Sequence, residues 1–133
     1  MRKVTDGMKN SSGLSQWYPM TLATASQSAK TADYTVVASE MGTNFTNTGA
    51  AGTVVFTLPS AALVPNKTVK FSALAAQIVR VDPTGSEKAY LNGSGVAGKY
   101  VNIAAVIGNY ADFYSDGTDW HVTYTSGVVT KEA

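Results

Sequence analysis

The sequence contains no cysteine among its 133 residues. This absence excludes disulfide bonds, thiolate zinc sites and cysteine nucleophiles. Charged residues are also scarce: they make up 14% of the chain. A typical soluble protein contains about 25%. Thr, Ser, Asn, Ala and Gly take their place, a composition that is typical of exposed strands and of surfaces that contact a partner.

Long apolar runs and a strong charge bias are missing as well. No stretch approaches the roughly 20 apolar residues that cross a bilayer. No apolar run follows the basic start Met1-Arg2-Lys3, so we expect no secretory signal and no membrane segment. The formal net charge of +1 is too small to indicate nucleic-acid binding. Together with the missing cysteines, these features fit assembly in a reducing cytoplasm.

Groups that perform catalysis are few. His121 is the only histidine. Asp119, two residues before it, would share its strand face and could contact it, but a solvent-facing strand histidine is the favoured interpretation. No Gly-x-Ser-x-Gly motif is present to complete a triad. Asp112, Asp116 and Asp119 form a local acidic cluster, which raises two alternatives: the carboxylate pair of a glycosidase or a calcium site. The spacing does not match an EF-hand loop, so we expect no catalytic residue, cofactor or metal.

The organisation of the chain changes near residue 31. Residues 1–31 show no sustained helical or strand periodicity and are predicted to form an extended N-terminal arm. Four basic residues and one acidic residue lie in the first 30 positions, and Trp17 lies in a polar context without a local core. Aromatic residues dominate interface hot spots. We therefore expect the arm to bind a partner protein through the following residues: Arg2, Lys3, Lys9, Trp17, Tyr18 and Met20.

Residues 32–133 are predicted to form one β domain. Short segments rich in β-branched and aromatic residues recur there between turn residues. The predicted strands are residues 34–38, 52–58, 68–74, 78–81, 89–91, 100–103, 111–115 and 118–124. In the third of these strands, Val69, Phe71 and Ala73 alternate with polar residues and are expected in the core. The segment from Pro59 to Val64 is predicted to be a short helical turn or a loop.

The last two predicted strands form a hairpin. Asp116-Gly117 between them is typical of a two-residue type I′ turn. In the outgoing strand, alternation predicts that one face is core and the other faces solvent or a partner. The predicted core residues are Trp120, Val122 and Tyr124. The residues on the opposite face are Asp119, His121 and Thr123. Short strands with Gly and Asn turns and no long helix indicate an all-β fold, a single sandwich or jelly-roll-like domain.

Several motifs, in their order along the chain, resemble a β module of tailed-bacteriophage virion surface proteins. The first is residues 31–36, followed by the polar loop 44–50 and the strand 54–59. The later motifs are Val81-Asp82-Pro83-Thr84-Gly85-Ser86, Leu91-Asn92-Gly93-Ser94-Gly95 and Ser115-Asp116-Gly117-Thr118-Asp119-Trp120. The resemblance covers about residues 31–127. It implies a virion structural module, often trimeric, without a catalytic residue set.

Two virion roles follow from this resemblance. The first is a homotrimeric capsid decoration, or cement, protein on the outer capsid surface, bound to the major capsid protein. The alternative is a receptor-binding or fibre-tip module that contacts cell-surface glycan. A chain that starts at Met1 with only a short arm is expected to be a decoration protein. A third possibility, a secreted lectin-like or hydrolytic bacterial domain, is disfavoured by the missing signal and by the few catalytic groups.

Overall fold

The computed structural model describes residues 26–133, which form a sandwich of two β-sheets. The strands of this region are β1 Gln27–Ala29, β2 Tyr34–Thr35, β3 Asn44–Thr46, β4 Val54–Thr57, β5 Thr68–Ser72, β6 Val79–Asp82, β7 Ala89–Tyr90, β8 Val101–Ile103, β9 Tyr110–Ser115, β10 Trp120–Ser126 and β11 Val129–Lys131. One sheet has six strands in the order β1-β3-β5-β9-β10-β7, and the other has five in the order β11-β8-β6-β4-β2. The all-β sandwich expected from the sequence is confirmed.

Two short 3₁₀ helices complete the secondary structure of the described region. They are Ala38–Glu40 and Ala61–Leu63, and the second confirms the short helical turn expected between Pro59 and Val64. Neither helix within residues 26–133 has the length and apolar character that a membrane crossing requires.

The first six strands alternate between the two sheets. β1, β3 and β5 are mutually parallel in the six-stranded sheet, and β2, β4 and β6 are mutually parallel in the other. Parallel neighbours need a long crossover connection, and here each crossover contains a strand of the opposite sheet. The chain therefore winds through three successive coils, each of which contributes one strand to each sheet. A jelly roll is antiparallel, so this parallel pairing distinguishes the observed sandwich from it.

The second part of the described chain closes the coils with antiparallel strands. β9 pairs with β5, and β10 pairs with β9, while β8 pairs with β6 and β11 with β8. The short strand β7 lies parallel to the start of β10. Of the nine strand pairings in residues 26–133, five are parallel and four are antiparallel.

Four phenylalanines pack together between the sheets. Phe45, Phe71 and Phe113 come from the six-stranded sheet and Phe56 from the five-stranded one, and all four are fully buried. Their ring centroids lie 5.1–5.8 Å apart in four pairs, within the range that favours aromatic packing. The three core residues predicted in β5 and its extension are buried as expected: Val69, Phe71 and Ala73.

The predicted hairpin is present, but its turn differs from the prediction. Ser115 pairs with Trp120, so the loop contains four residues instead of two. A type I′ turn requires positive φ at both central residues, and in this loop only Gly117 has it, at 91°. Asp116 instead accepts hydrogen bonds from the backbone N–H groups of Thr118 and Asp119, each at 2.8 Å. The carboxylate thereby stabilises a longer loop, and the predicted two-residue turn was wrong.

A β-bulge makes the faces of β10 differ from the predicted alternation. Trp120 is fully buried, as expected, and Val122 is half-buried against the core. Phe113 pairs with Val122 and Asp112 pairs with Tyr124, which leaves Thr123 as an extra residue. An extra residue moves the following side chains to the other face of the sheet. Tyr124 is consequently 71% exposed, and its predicted core position was wrong.

Three strands lie where the sequence predicted no strand. β1 falls within the segment predicted as the arm, and β3 falls within the polar loop 44–50. β11 follows the last predicted strand. Ser26 enters the sandwich through a hydrogen bond from the Asn44 N–H at 2.8 Å. Residues 26–31 thus contribute to the edge of the six-stranded sheet, and the remainder of the predicted arm lies outside the described residues.

The burial of Trp120 generates a stability prediction. Trp120→Ala is expected to lower the free energy of unfolding by about 3–5 kcal/mol, because it removes a buried indole and leaves a cavity. Tyr124→Ala in the same strand is the matched control. Its exposed side chain predicts a change within about 0.5 kcal/mol. Urea denaturation of the two variants measures both values, and equal losses of stability would contradict the assignment of the two faces.

Candidate functional site

The partner-binding residues predicted from the sequence lie outside residues 26–133. They are Arg2, Lys3, Lys9, Trp17, Tyr18 and Met20, and their role stays a prediction. The described region offers two other surfaces. One is at an end of the sandwich, and the other is the outer face of the six-stranded sheet.

Asp119 and His121 have different partners. Asp119 Oδ1 accepts a hydrogen bond from the Lys88 backbone N–H at 2.8 Å, which ties the hairpin loop to the start of β7. His121 Nε2 instead lies 2.6 Å from Asp116 Oδ2 at the surface. Asp119 is engaged by Lys88, and Asp116, from the same loop, is the carboxylate that contacts His121. His121 is partly exposed on the outer face of β10, as the favoured interpretation of a solvent-facing histidine expected, and Asp119 does not contact it.

The loop carboxylate Asp116 is stabilised in its ionised form. The backbone N–H of Asp119, then His121 and then the backbone N–H of Thr118 lower the pKa of Asp116 from 3.8 to about 2. Hydrogen bonds donated to a carboxylate favour its charged form. The hydrogen bonds that Asp116 accepts within the hairpin loop therefore account for its presence at this position.

The acidic cluster considered for calcium is spread over different elements. Asp112 lies in β9, whereas Asp116 and Asp119 lie in the following loop with separate partners. Within residues 26–133 there is no group of three or more His, Cys, Asp or Glu side chains placed to hold a metal ion.

The first candidate surface, which we call the apolar end, lies where β5, β10 and the loop before β9 meet. Its four large apolar side chains are exposed by 37% to 63%: Leu74, Val106, Ile107 and Val128. The segments that carry them, residues 73–77, 104–109 and 127–130, contain no Lys, Arg, Asp or Glu. Exposed apolar groups concentrated on an uncharged surface are typical of contacts with another macromolecule.

Backbone contacts hold the three segments of the apolar end together. Ala73 N–H donates to the Asn109 carbonyl and Gly108 N–H to the Ala73 carbonyl, each at 2.8 Å. Ala104 N–H donates to the Val128 carbonyl at 3.0 Å. The loop of Val106 and Ile107 is therefore fixed against its neighbours, and its apolar side chains are presented on a defined surface.

Two residues, Asn47 and Gly127, determine the close approach of these segments. The fully buried Asn47 accepts hydrogen bonds from the Leu74 and Ala75 N–H groups at 2.7 and 2.9 Å. Gly127 has a φ of +78°, and a Cβ there would lie 1.9 Å from Asn109 Oδ1. Glycine is favoured here, because another residue would be strained at this φ and its Cβ would displace the Asn109 side chain.

The second candidate surface is the outer face of the six-stranded sheet. Strand alternation places five aromatic side chains on it, which we call the tyrosine face: Tyr90, Tyr110, Tyr114, His121 and Tyr124. The rings of Tyr90 and His121 stack with centroids 5.0 Å apart. The Tyr114 hydroxyl donates to Asn66 Oδ1 at 2.8 Å. The ammonium of Lys70 lies 4.2 Å from the centre of the Tyr110 ring.

Asp112 lies in the middle of this face beside a cavity. The cavity has a volume of about 180 Å³ and is lined by Gly42, Asn44, Thr68, Val69, Lys70 and Asp112. The Asp112 Oδ1 atom is shielded from solvent and accepts no hydrogen bond from residues 26–133. Burial raises the pKa of Asp112, and the positive charge of Lys70 opposes this rise. A buried acceptor without a donor is unfavourable, so this atom marks a polar position that the described fold leaves unsatisfied.

A second groove of about 440 Å³ adjoins this cavity and shares Gly42 and Thr68 with it. It extends toward the 3₁₀ helix Ala38–Glu40 and includes Asn66, the residue that receives the Tyr114 hydroxyl. The tyrosine face therefore combines exposed aromatic rings with a recessed polar track.

Sequence reasoning missed the apolar end and most of the tyrosine face; it assigned only His121 to the face that meets solvent or a partner, and His121 is partly exposed there. Val106-Ile107 next to Gly108 is an apolar pair too short to be distinguished from a strand fragment. The tyrosine face depends on strand register and on the bulge in β10, neither of which a local pattern reveals. The chain matches no protein-family model, and no curated protein matches it. Function is therefore inferred from the surfaces and from the motif resemblance.

The opposite pKa shifts of Asp116 and Asp112 generate a pH prediction. The folded-state pKa of Asp116 is below 3.8, so its contribution to stability is complete above that pH and is lost as the pH falls toward 2. Asp116→Asn is expected to make the acid loss of stability shallower. The pKa of Asp112 is raised, so its protonation favours the folded state and Asp112→Asn is expected to make the loss steeper.

Urea midpoints measured at several values between pH 5 and pH 2 test both directions. The wild-type chain is the reference for the slope. A slope that Asp116→Asn leaves unchanged, or the same change in both variants, would contradict the assignment of the two carboxylates.

Proposed function

We propose that this chain is a bacteriophage virion structural protein, a homotrimeric capsid decoration protein that binds the major capsid protein on the outer surface of the head. The motif resemblance supports the virion assignment. The apolar end is the observation that carries the association with other protein subunits. The proposed role requires binding and stabilisation, and no bond-making chemistry.

The apolar end supports contacts between copies of the chain. Val106, Ile107 and Val128 are each at least 60% exposed, and no charged residue lies in the segments that present them. Depletion of charge and enrichment of apolar groups characterise the centre of subunit interfaces. Every copy carries the same patch, and cyclic symmetry buries all copies of it at once. The trimer is therefore proposed to form through the apolar ends.

The arm is proposed to make the contact with the capsid. Ser26 Oγ lies 3.1 Å from Thr43 Oγ1, and β1 runs from there toward the apolar end. Residues 1–25 therefore join the sandwich at the end opposite the apolar end. The attachment point of the arm is therefore separate from the apolar end, and the arm is proposed to bind the coat while copies of the chain meet at the apolar end.

Stabilisation of the head follows from mass action. A protein that binds the assembled shell and not its free subunits stabilises the shell by its binding free energy. Three arms on one trimer bind together, which raises the overall affinity without new contacts. The proposed location is the outer capsid surface, after assembly in the host cytoplasm.

The proposed arm contact makes a binding prediction. Deletion of residues 1–20 is expected to abolish co-sedimentation with heads, because it removes Arg2, Lys3, Lys9, Trp17 and Tyr18, while the circular dichroism spectrum of the β domain persists. Trp17→Ala is expected to weaken binding at least tenfold, the size of a hot-spot residue. Capsid binding by the truncated protein at wild-type affinity would reject the arm as the attachment device.

The proposed trimer interface makes a second prediction. The double variant Val106→Asp/Ile107→Asp is expected to be monomeric, because it buries charge in the interface. Leu63→Asp is the matched control, since Leu63 is 69% exposed and lies on the 3₁₀ helix Ala61–Leu63, outside the apolar end. Analytical ultracentrifugation gives the mass of each protein. A monomeric wild type, or a double variant that stays trimeric, would refute the proposed interface.

A further inference from the structure

One row of side chains crosses the tyrosine face perpendicular to the strands. Register places Tyr124 beside Asp112, Asp112 beside Lys70, and Lys70 beside Asn44. Neighbouring strands lie about 4.8 Å apart, so the four positions span roughly 14 Å. This length suits a short chain-like ligand that lies across the sheet.

The row has the aromatic ring of Tyr124 at one end and polar side chains at its other three positions. Tyr124 is 71% exposed, and the β10 bulge turns it onto this face. Asp112 supplies the unpartnered oxygen beside the cavity. Ser72 Oγ donates to Asn44 Oδ1 at 2.8 Å, which fixes the orientation of that amide at the far side of the cavity. Together they offer an apolar platform, a carboxylate acceptor and a positioned amide.

The charge of the face indicates which polymer fits it. Lys70 and Lys88 are accompanied by Asp112 and Asp116, so cations have no excess here. Nucleic acids and other polyanions bind surfaces with a positive excess. A neutral polymer with many hydroxyl groups does not need a positively charged surface. Its hydroxyl groups can form hydrogen bonds with the carboxylate and amide groups of the row.

We propose that the tyrosine face is a binding site for neutral glycan chains, with Tyr124 stacking on a sugar ring while Asp112 and Asn44 bond its hydroxyls. A pyranose has an apolar C–H face that packs on an aromatic ring and a rim of hydroxyl groups. The exposed ring beside the unsatisfied carboxylate presents both complements. A sugar hydroxyl that donates a hydrogen bond to Asp112 Oδ1 supplies the missing donor. The proposal includes a small shift of the Asp112 side chain into the cavity. This activity is additional to capsid binding and does not depend on it.

The test uses the full-length protein and an array of neutral glycans built from glucose, galactose, mannose and N-acetylhexosamines. At least one glycan is expected to bind, and titration calorimetry with that glycan measures the dissociation constant. Tyr124→Ala and Asp112→Asn are each expected to weaken binding at least tenfold. Tyr100→Ala is the matched control, because Tyr100 lies against Arg80, with 4.0 Å between the ring centre and the guanidinium carbon, on the other sheet.

The possible outcomes separate clearly. Binding that Tyr124→Ala weakens and Tyr100→Ala leaves unchanged supports the site. The proposal is overturned by an array without any bound neutral glycan, or by a bound glycan whose affinity is the same in Tyr124→Ala and the wild type. Because Tyr124 is exposed, Tyr124→Ala is expected to fold, and its urea midpoint verifies this. Co-sedimentation of the same variants with heads is expected to be unchanged, so failure of glycan binding is distinguishable from failure of the decoration role.

Discussion

The packing of four phenylalanines between the sheets is the interaction on which the remaining structure depends. Phe45, Phe71 and Phe113 stand on neighbouring strands of one sheet, and Phe56 reaches them from the other, with every ring fully buried. Each ring removes a large apolar area from water, and the tilted and edge arrangements add to that gain. In a chain without disulfides, this cluster joins the two sheets.

The winding of the chain explains how the cluster draws its rings from both sheets. Phe45, Phe56 and Phe71 lie on β3, β4 and β5, which are consecutive in sequence and alternate between the sheets. Neither sheet is therefore formed by a continuous piece of chain, and the two sheets assemble together. The resulting framework of two sheets positions the uncharged, apolar loop of residues 104–109. The apolar loop at Val106 and the row through Asp112 both owe their geometry to it.

Sequence patterns predicted the parts of the fold that local chemistry determines. Val54–Thr57 and Thr68–Ser72 are strands because β-branched and aromatic residues fill them, and Asp116-Gly117 indicated the reversal between β9 and β10. The strand Asn44–Thr46 was missed because Asn and Thr are typical of loops. Phe45 is its only large apolar residue, and its burial becomes evident only when β1 and β5 are placed beside it.

The candidate surfaces were less accessible to prediction than the fold. Tyr124 was expected in the core because alternation from Trp120 was extended through Thr123, and a single bulged residue reverses that assignment. The type of turn after Ser115 depended on how many backbone N–H groups Asp116 accepts. The exposure of Val106 and Ile107 depends on the absence of a neighbouring strand in the described region, which no local pattern encodes.

The coil winding also determines how the domain responds to a pull on its N-terminal side. β1 is an edge strand of three residues that pairs only with β3 within the described region, and it receives any tension transmitted through Ser26 before the other strands. Its backbone hydrogen bonds are few, and the phenylalanine cluster lies in later coils. We infer that β1 detaches first under such a pull, which extends the chain on the N-terminal side before the phenylalanine cluster bears load.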